Sequence, residues 1–402
     1  NSIKYIKAFD GMRGVGALMI ILYHFPGKYI TISHGWEFMQ LLFVMSGYLI
    51  TLVLVEDKEK YTVKNYSIYF YMKRILRLFP LYFAYLFFWV LIYFVFKNVL
   101  ILHIASKEVL QHAPYLFSYT YNYMAFVNYL MHWNYDAGII TTHLWTLSVE
   151  EQFYLIFPFL VFFLQNKTLK KVVLAAIIIA PIFRIFFYFF LKKINPGEVA
   201  WISQNLIRIP FSQMDSIAIG AALALFNFDW IKNPVRIFWM LTLLIFVVYG
   251  LNMAYVYFIE GTDYYTITFG KKLAENWMTH NFLFSYIITL VNIWCALTIL
   301  CVIKGFNPKW LLENKILVFI GKLSYGIYIL HLPVMFSFGI LINALPFIKN
   351  HSHNIVIEST MFIMYLTVLL SITYVSFYYF EKKFISMRYR IFTPKSIQIS
   401  NK

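Results

Sequence analysis

Apolar residues occur along this chain in long runs separated by short polar segments. Each run approaches about 20 residues, the length that a helix needs to cross the hydrocarbon core of a bilayer. The pattern predicts an all-α fold, a polytopic bundle of transmembrane helices. The runs cover residues 12–30, 36–55, 77–98, 113–131, 144–165, 172–191, 206–226, 236–258, 282–303, 316–342 and 355–380.

The run at 113–131 differs from the others, because its stretch PYLFSYTYNYMAFVNYLM is rich in Tyr and Asn. This composition favours a re-entrant or interfacial segment over a lipid-facing helix. If this run is not a span and the N-terminus is cytoplasmic, 23 Lys and Arg residues fall on the inner side and nine on the outer side. Because cytoplasmic loops are enriched in these residues, we expect about ten spans with both termini in the cytoplasm.

Composition agrees with a membrane protein. Charged residues make up 13% of the 402 residues, against about 25% in soluble domains. The formal net charge of +16 mainly sets orientation, and we expect no nucleic-acid partner. Cys295 and Cys301 lie in one apolar run, which gives neither a disulfide framework nor a zinc site. We expect one membrane domain over residues 1–402, whose first span is retained rather than cleaved as a signal peptide.

Arg13 and His24 stand out in the stretch FDGMRGVGALMIILYHF at residues 9–25. Their spacing of eleven positions places both on one helix face, with a rise of about 16 Å between them. Ionisable residues within spans usually face a partner or a cavity, and Gly14 and Gly16 would let neighbouring helices approach closely. The alternative is an interfacial anchor at Arg13 and a packing residue at His24.

Two adjacent carboxylates, Glu150 and Glu151, lie about two turns into a predicted span, in the stretch HLWTLSVEEQFYLIFP at residues 143–158. Adjacent helical residues diverge by about 100°, so the two side chains cannot both face one partner. In the ten-span arrangement Glu150 lies near the expected depth of His24. A carboxylate beside an imidazole orients a general base. A helix-packing ion pair is the alternative.

Arg74 and Arg77 form an i, i+3 pair at the cytoplasmic start of the third predicted span. Two guanidinium groups on one helix face can bind phosphate groups bidentately. Positive-inside anchoring, together with the neighbouring Lys73, is the alternative.

Arg184 and Asp215 lie within sequential antiparallel spans, both about 16–18 Å from the inner surface. We expect them to form a structural ion pair. His331 is either a packing residue or a polar residue in a cavity. The remaining histidines, including His351 and His353, match no metal-site spacing, so no metal is assigned.

Several stretches, taken in order, resemble the motifs of the acyltransferase 3 family of integral membrane acyltransferases. They are FDGMRGVGALMIILYHF at 9–25, LLFVMSGYLIT at 41–51, RILRLFPLYF at 74–83, HLWTLSVEEQFYLIFP at 143–158, IGKLSYGIYILHLPV at 320–334 and YFEKK at 379–383. The resemblance covers nearly the whole chain. One departure is Gln213, which stands two residues before Asp215, where the family usually has Arg.

The resemblance implies roles for individual residues. His24 corresponds to the family's essential first-helix histidine, and we expect Glu150 to be the second catalytic residue. Glu150 and Gln152 match the family's ExQ motif, which leaves Glu151 as its variable position. The residues expected to hold the CoA phosphates are Arg13, Arg74 and Arg77. Further candidates within the motifs are Asp10, Ser46, Trp145, Gln152, Ser324, Tyr325 and His331.

The resemblance also implies a reaction. We expect acetyl-CoA as the acyl donor and a hydroxyl of an extracytoplasmic glycan or lipid-linked sugar as the acceptor. The protein would lie in the bacterial inner (cytoplasmic) membrane, in contact with membrane lipid and without an appended esterase-like domain. A homo-oligomer is one option. His24, oriented by Glu150, would deprotonate the acceptor hydroxyl for direct transfer, with an acyl-histidine intermediate as the alternative.

Other functions stay open at this point. Succinyl transfer is an alternative to acetyl transfer. A transporter or flippase of lipid-linked sugars would also carry charges within the membrane, and a scaffold in an envelope assembly complex is a further alternative.

Overall fold

The computed structural model of the chain describes residues 5–27, 29–32, 35–132, 138–196, 199–260, 284–306, 308–345 and 354–391. Within these ranges the regular structure is helical and includes no strand. The all-α class predicted from the hydrophobic pattern is confirmed. Cys295 and Cys301 are buried free thiols.

The helices are numbered in chain order. The first are α1 (Lys7–His24), α2 (Trp36–Lys60), α3 (Val63–Val95), α4 (Leu100–Gln111), α5 (Ala113–Phe117) and α6 (Met124–Leu130). Next come α7 (Trp145–Phe163), α8 (Asn166–Ile194), α9 (Val199–Arg208), α10 (Pro210–Leu225) and α11 (Pro234–Glu260). The last are α12 (Phe284–Ile303), α13 (Lys309–Leu312), α14 (Lys315–Ala344), α15 (Ile355–Val375), a π-helical turn (Ser376–Glu381) and α16 (Lys382–Ile391).

Eight helical segments of the described ranges are long and apolar enough to cross a membrane. They are Trp36–Lys60, Val63–Val95, Thr142–Phe163, Asn166–Ile194, Pro234–Leu251, Ser285–Ile303, Lys315–Ile342 and Ile355–Met387. Two further predicted spans form helices that fall short of this standard for physical reasons. Helix α1 carries Lys7, Asp10 and Arg13 within its 18 residues, and α10 has only 16 residues. The architecture is that of a polytopic helical membrane bundle.

The segment at 113–131 is broken, as its polar composition predicts. It contains α5, a 3₁₀ turn over Tyr121–Tyr123, and α6. None of these pieces approaches the roughly 20 residues of a spanning helix. The segment is therefore not a continuous span, and its re-entrant or interfacial position stays a prediction.

The chain divides into two compact units. The first unit contains Asn1–Leu52 and Leu164–Gly321, and the second contains Val53–Phe163 and Lys322–Lys402. In the first unit, α8 packs along α10, and α10 and α11 both contact α12. In the second unit, α3 packs against α4, α16 and the π-helical turn.

The predicted ion pair between Arg184 and Asp215 lies in the core of the first unit, where both side chains are fully buried. Its bidentate contacts measure 2.9 Å from Nη1 to Oδ1 and 2.7 Å from Nη2 to Oδ2. Arg184 also donates to the carbonyl oxygens of Ser212 and Ser285, and the Thr289 hydroxyl donates to Asp215. Both charges are therefore compensated within the core, as a buried pair requires.

Candidate active site

His24 is the last residue of α1, and its ring is oriented by its own helix. Its Nδ1 atom lies 2.9 Å from the carbonyl oxygen of Ile20. Because a carbonyl only accepts hydrogen bonds, Nδ1 donates, and in the neutral ring the lone pair is on Nε2. The half-buried imidazole thus carries its basic nitrogen at Nε2.

Arg13 lies on α1 in a small charged cluster with Asp10. The guanidinium donates to Oδ1 of Asp10 at 2.8 Å, and the Tyr5 hydroxyl donates to Oδ2 at 2.6 Å. The hydrogen bond to Asp10 raises the pKa of Tyr5 to about 12. Asp10 therefore orients Arg13 and offsets part of its charge.

Close packing holds this part of α1 in place. A Cβ atom on Gly14 would lie 2.1 Å from the carbonyl oxygen of Leu317, and one on Gly11 would lie 1.8 Å from that of Leu312. Only glycine allows main chains to approach so closely. The close approach predicted at Gly14 is confirmed, whereas a Cβ on Gly16 would make ordinary contact with a side chain at 3.5 Å. The candidate Ser46 is half-buried on α2 in the same unit.

Arg74 and Arg77 lie on α3 in the second unit. Arg74 is half-buried, with its guanidinium carbon 4.8 Å from the centroid of the Tyr154 ring. Its charge acts on the Glu151 carboxylate. Arg77 is exposed, and its charge acts on Glu381. Each arginine of the pair therefore interacts electrostatically with a carboxylate on a different helical segment.

Glu381 ends the π-helical turn and is buried. It accepts a hydrogen bond from the Ser376 hydroxyl at 2.9 Å. Because π-helical turns often mark functional sites, this carboxylate of the YFEKK stretch is a further candidate site residue.

The three residues of the ExQ motif have different surroundings. Gln152 donates from Nε2 to the carbonyl oxygen of Tyr119 at 2.7 Å and to Oδ1 of Asn122 at 3.0 Å. Gln152 therefore fixes the turn that precedes α6. Glu151 lies near Arg74, whereas Glu150 is half-buried on the adjacent position of α7. The pairing of Glu150 with His24 stays a prediction, because the two residues belong to different units.

Glu108 on α4 binds the segment that leads into α7. Its carboxylate accepts hydrogen bonds from the backbone N–H groups of Ile139 at 2.6 Å and Thr141 at 2.8 Å, with Ile140 at 3.2 Å. The Thr141 hydroxyl also donates to it. Burial raises the pKa of Glu108, and these donors oppose the rise. Glu108 thereby fixes the start of the motif at 143–158.

His331 is fully buried on α14 and packs against His143, with ring centroids 4.9 Å apart. Its Nδ1 atom lies 2.7 Å from the carbonyl oxygen of Tyr328, and the Tyr365 hydroxyl donates to the His331 carbonyl at 3.1 Å. The Tyr328 hydroxyl donates to the carbonyl of His143. Of the two roles considered for His331, these contacts favour packing between α7, α14 and α15.

Three further candidates lie in the second unit. Trp145 is buried at the start of α7, and Ser324 is half-buried on α14. Tyr325 donates its hydroxyl to the carbonyl of Leu78 and so ties α14 to α3.

The sequence motifs do not single out Glu108, Tyr119 or Glu381, which the structure adds as candidates, and the family pattern leaves Glu151 as a variable position. The sequence could have indicated Glu151, because burying a carboxylate within a span is energetically unfavourable and such residues usually have a function. Nothing in the sequence indicates Tyr119, because its partners Gln152 and Tyr82 are far from it along the chain. Within the described ranges, no cluster of His, Cys, Asp and Glu could hold a metal ion. His351 and His353 lie outside the described residues.

Comparisons with known proteins identify relatives that are named O-acetyltransferases. The O-acetyltransferase OatA of Staphylococcus aureus strain NCTC 8325 / PS 47 is 25% identical over 352 residues, which covers 83% of this chain and 51% of the relative. OatA of strain MRSA252 matches to the same extent. The chain thus spans about half the length of these curated relatives. No solved structure matches the chain significantly.

The family comparison covers far more of the molecule than any single motif. The model of the Acyl_transf_3 family, described as an acyltransferase domain, matches residues 6–381. This range includes α1 with His24, the arginine pair of α3, the ExQ motif of α7 and the π-helical turn that ends at Glu381. The chain belongs to the Acyl_transf_3 family of acyltransferases.

Proposed function

We propose that this protein is a membrane O-acetyltransferase that transfers an acetyl group from acetyl-CoA to a hydroxyl of a cell-envelope glycan or lipid-linked sugar. The family match over residues 6–381 carries the proposal. The O-acetyltransferase relatives support acetyl as the group transferred. The excess of Lys and Arg in alternate loops supports an orientation with both termini cytoplasmic, and the family match and the bacterial relatives support a location in the bacterial inner membrane.

The chemical step needs a base that is correctly oriented before the substrates meet. His24 Nε2 would take the proton of the acceptor hydroxyl as its oxygen attacks the thioester carbonyl. The carbon–sulfur bond then breaks, and the CoA thiolate receives the proton, which gives an ester and free CoA. The Ile20 carbonyl, which fixes the ring through Nδ1, supports this assignment. Glu150 would stabilise the protonated imidazole.

The donor carries several phosphate groups, and guanidinium groups bind phosphate well. We assign Arg13, Arg74 and Arg77 to this task. Arg74 is supported by its position against Tyr154, which orients the guanidinium plane. The Asp10 carboxylate supports Arg13 in the same way.

Purified protein in nanodiscs with radiolabelled acetyl-CoA tests the proposal. We expect release of free CoA and, with extracted envelope glycans present, label on the glycan. His24→Ala should abolish both and leave the protein folded. His103→Gln is the matched control, because His103 is stacked on Tyr93 outside the proposed site. Intact acetyl-CoA in the presence of acceptor would overturn the proposal and favour transport or scaffolding.

Acceptor and mechanism need separate measurements. Mass spectrometry of glycans from a deletion strain should show loss of an acetyl group. Loss of a succinyl group would instead favour succinyl-CoA as the donor. Incubation with donor alone should leave the protein unmodified if transfer is direct, whereas label trapped on His24 would establish an acyl-histidine intermediate.

A further inference from the structure

Tyr119 has an unusual backbone. Its φ angle is +53°, in the left-handed region that is costly for a residue with a Cβ atom. The turn is held in place, because Gln152 donates to the Tyr119 carbonyl at 2.7 Å. Strained residues that their surroundings hold in place concentrate at ligand sites and active sites. The strain at Tyr119 is therefore a reason to consider its side chain as a ligand contact.

The Tyr119 ring is fixed by aromatic stacking on α3. Its centroid lies 4.6 Å from that of Tyr82 and 5.5 Å from that of Phe79, with interplanar angles of 21° and 25°. Its hydroxyl oxygen is buried and has no hydrogen-bond partner among the described residues. Burial raises the pKa of Tyr119, so the hydroxyl keeps its proton at neutral pH and can donate it in a hydrogen bond.

A second buried polar atom lies in the same part of the second unit. Oε1 of Glu151 is buried and also has no partner within the described ranges. Its chain neighbour Gln152 bonds to the Tyr119 carbonyl at 2.7 Å, and the Glu151 charge acts on both Tyr119 and Tyr82, so Glu151 lies in the neighbourhood of the stacked rings. Native proteins almost always provide partners for buried polar atoms. A donor at Tyr119 and an acceptor at Glu151 therefore indicate that a ligand completes the hydrogen bonds.

The position along α3 indicates which ligand. Tyr82 follows Arg74 by eight residues, which is a rise of about 12 Å and a rotation of about 80°, so the two side chains lie on adjoining faces of α3. The Arg74 charge also acts on the Glu151 carboxylate. A ligand whose phosphates are bound by the arginines would therefore extend its next covalently attached part over Tyr119 and Glu151. In acyl-CoA that part is the pantetheine arm, which carries amide N–H donors, carbonyl acceptors and aliphatic carbons.

We propose that the Tyr119 hydroxyl and the Glu151 carboxylate form a hydrogen-bonding subsite for the pantetheine arm of the acyl-CoA donor. An amide N–H of the arm donates to Glu151, and a carbonyl oxygen of the arm accepts from Tyr119. The rings of Phe79 and Tyr82 support the subsite by fixing Tyr119. The inference rests on the proposed use of acyl-CoA and assigns Glu151 a binding role.

Displacement of radiolabelled acetyl-CoA from the 402-residue chain in nanodiscs tests the subsite. Two competitors are compared: CoA, and 3′-phospho-ADP, which is the nucleotide half of CoA without the pantetheine arm. Tyr119→Phe and Glu151→Gln should each lower the binding affinity for CoA by about threefold to tenfold, which is the effect of losing one net hydrogen bond. The affinity for 3′-phospho-ADP should not change. Tyr123→Phe, a half-buried tyrosine of the same segment, is the matched control.

The outcomes separate the subsite from the proposed function. A wild-type protein that does not bind acetyl-CoA would overturn the donor assignment and the subsite with it. Binding by wild type with unchanged CoA affinity in both variants would overturn the subsite alone. Equal weakening of CoA and 3′-phospho-ADP would also overturn it, since the effect would then be on the nucleotide half. A raised KM for the glycan acceptor at unchanged donor affinity would assign the two residues to the acceptor instead.

Discussion

Arg184 is bound by Asp215 through two hydrogen bonds of 2.9 and 2.7 Å, with both side chains fully buried. The guanidinium also donates to the main-chain carbonyls of Ser212 and Ser285. Carbonyl oxygens attract a cation and repel a carboxylate. The surroundings of residue 184 therefore favour a positively charged side chain, whatever the charge at residue 215.

Asp215→Asn should destabilise the protein strongly, because it leaves the Arg184 charge buried without compensation. We expect a loss of about 3–5 kcal/mol in the free energy of unfolding. Thermal unfolding of the purified protein in detergent measures this effect, with Asp229→Asn at an exposed position as the control. Exchange of the two charges should not restore stability, because an aspartate at 184 would face the two carbonyls. Full recovery in the exchanged protein would contradict this explanation.

Gly14→Ala should move α1, because the new Cβ would lie 2.1 Å from the carbonyl oxygen of Leu317. Overpacking of this kind typically costs about 1–3 kcal/mol. The melting temperature should fall, and acetyl-CoA turnover should fall with it if the position of Arg13 matters. Gly250→Ala is the control, since nothing lies within 4 Å of its Cβ and alanine favours helix. Equal behaviour of the two variants would show that α1 adjusts without cost.

Glu108→Gln should loosen the segment before α7. The neutral amide accepts hydrogen bonds through one oxygen and cannot satisfy three backbone N–H groups and the Thr141 hydroxyl together. We expect a loss of about 1–3 kcal/mol in stability and faster proteolysis near residues 138–141. Lys107→Gln, at the exposed neighbouring position, should behave like wild type. Unchanged proteolysis in Glu108→Gln would argue against the anchoring role.

The stability of the protein should also depend on pH through Glu108. Burial raises the pKa of Glu108 above its ordinary value, so the native state binds the proton more readily than the unfolded state does. Protonated Glu108 therefore adds to the free energy of unfolding. This contribution is fully present below the ordinary glutamate pKa and is lost as pH rises through the raised value. Melting temperatures across this range should fall in wild type more than in Glu108→Gln. The opposite slope would show that the backbone donors outweigh burial.

Arg74→Lys and Arg77→Lys should each weaken binding of the acetyl-CoA donor, because lysine keeps the charge but cannot bind phosphate bidentately. We expect the KM for acetyl-CoA to rise about tenfold, which corresponds to about 1.4 kcal/mol, with a small change in kcat. Lys64→Gln removes an exposed charge from the start of the same helix and serves as the control. A fall in kcat at unchanged KM would assign the arginines to the chemical step.

The all-helical membrane fold was predictable from sequence, because length and apolarity are local properties of a run. The short pieces at 113–131 and the pairing of Arg184 with Asp215 were predictable for related reasons. A polar run is energetically unfavourable in contact with lipid. Two opposite charges at similar depth in the membrane favour contact with each other. The motif residues were found by resemblance, which identifies chemistry without giving its geometry.

The sequence by itself determined the class of fold and the residue types that carry the proposed chemistry. Only the tertiary structure decided which side chains meet. It brought Glu151 within electrostatic range of Arg74 and Tyr119, bound Glu108 to the backbone at 139–141, and fixed the His24 ring on Ile20. Hydrophobic periodicity is set by neighbours within a few turns of helix. The partners of a buried polar group depend on contacts between segments far apart in the chain, and only the packed fold brings those segments together.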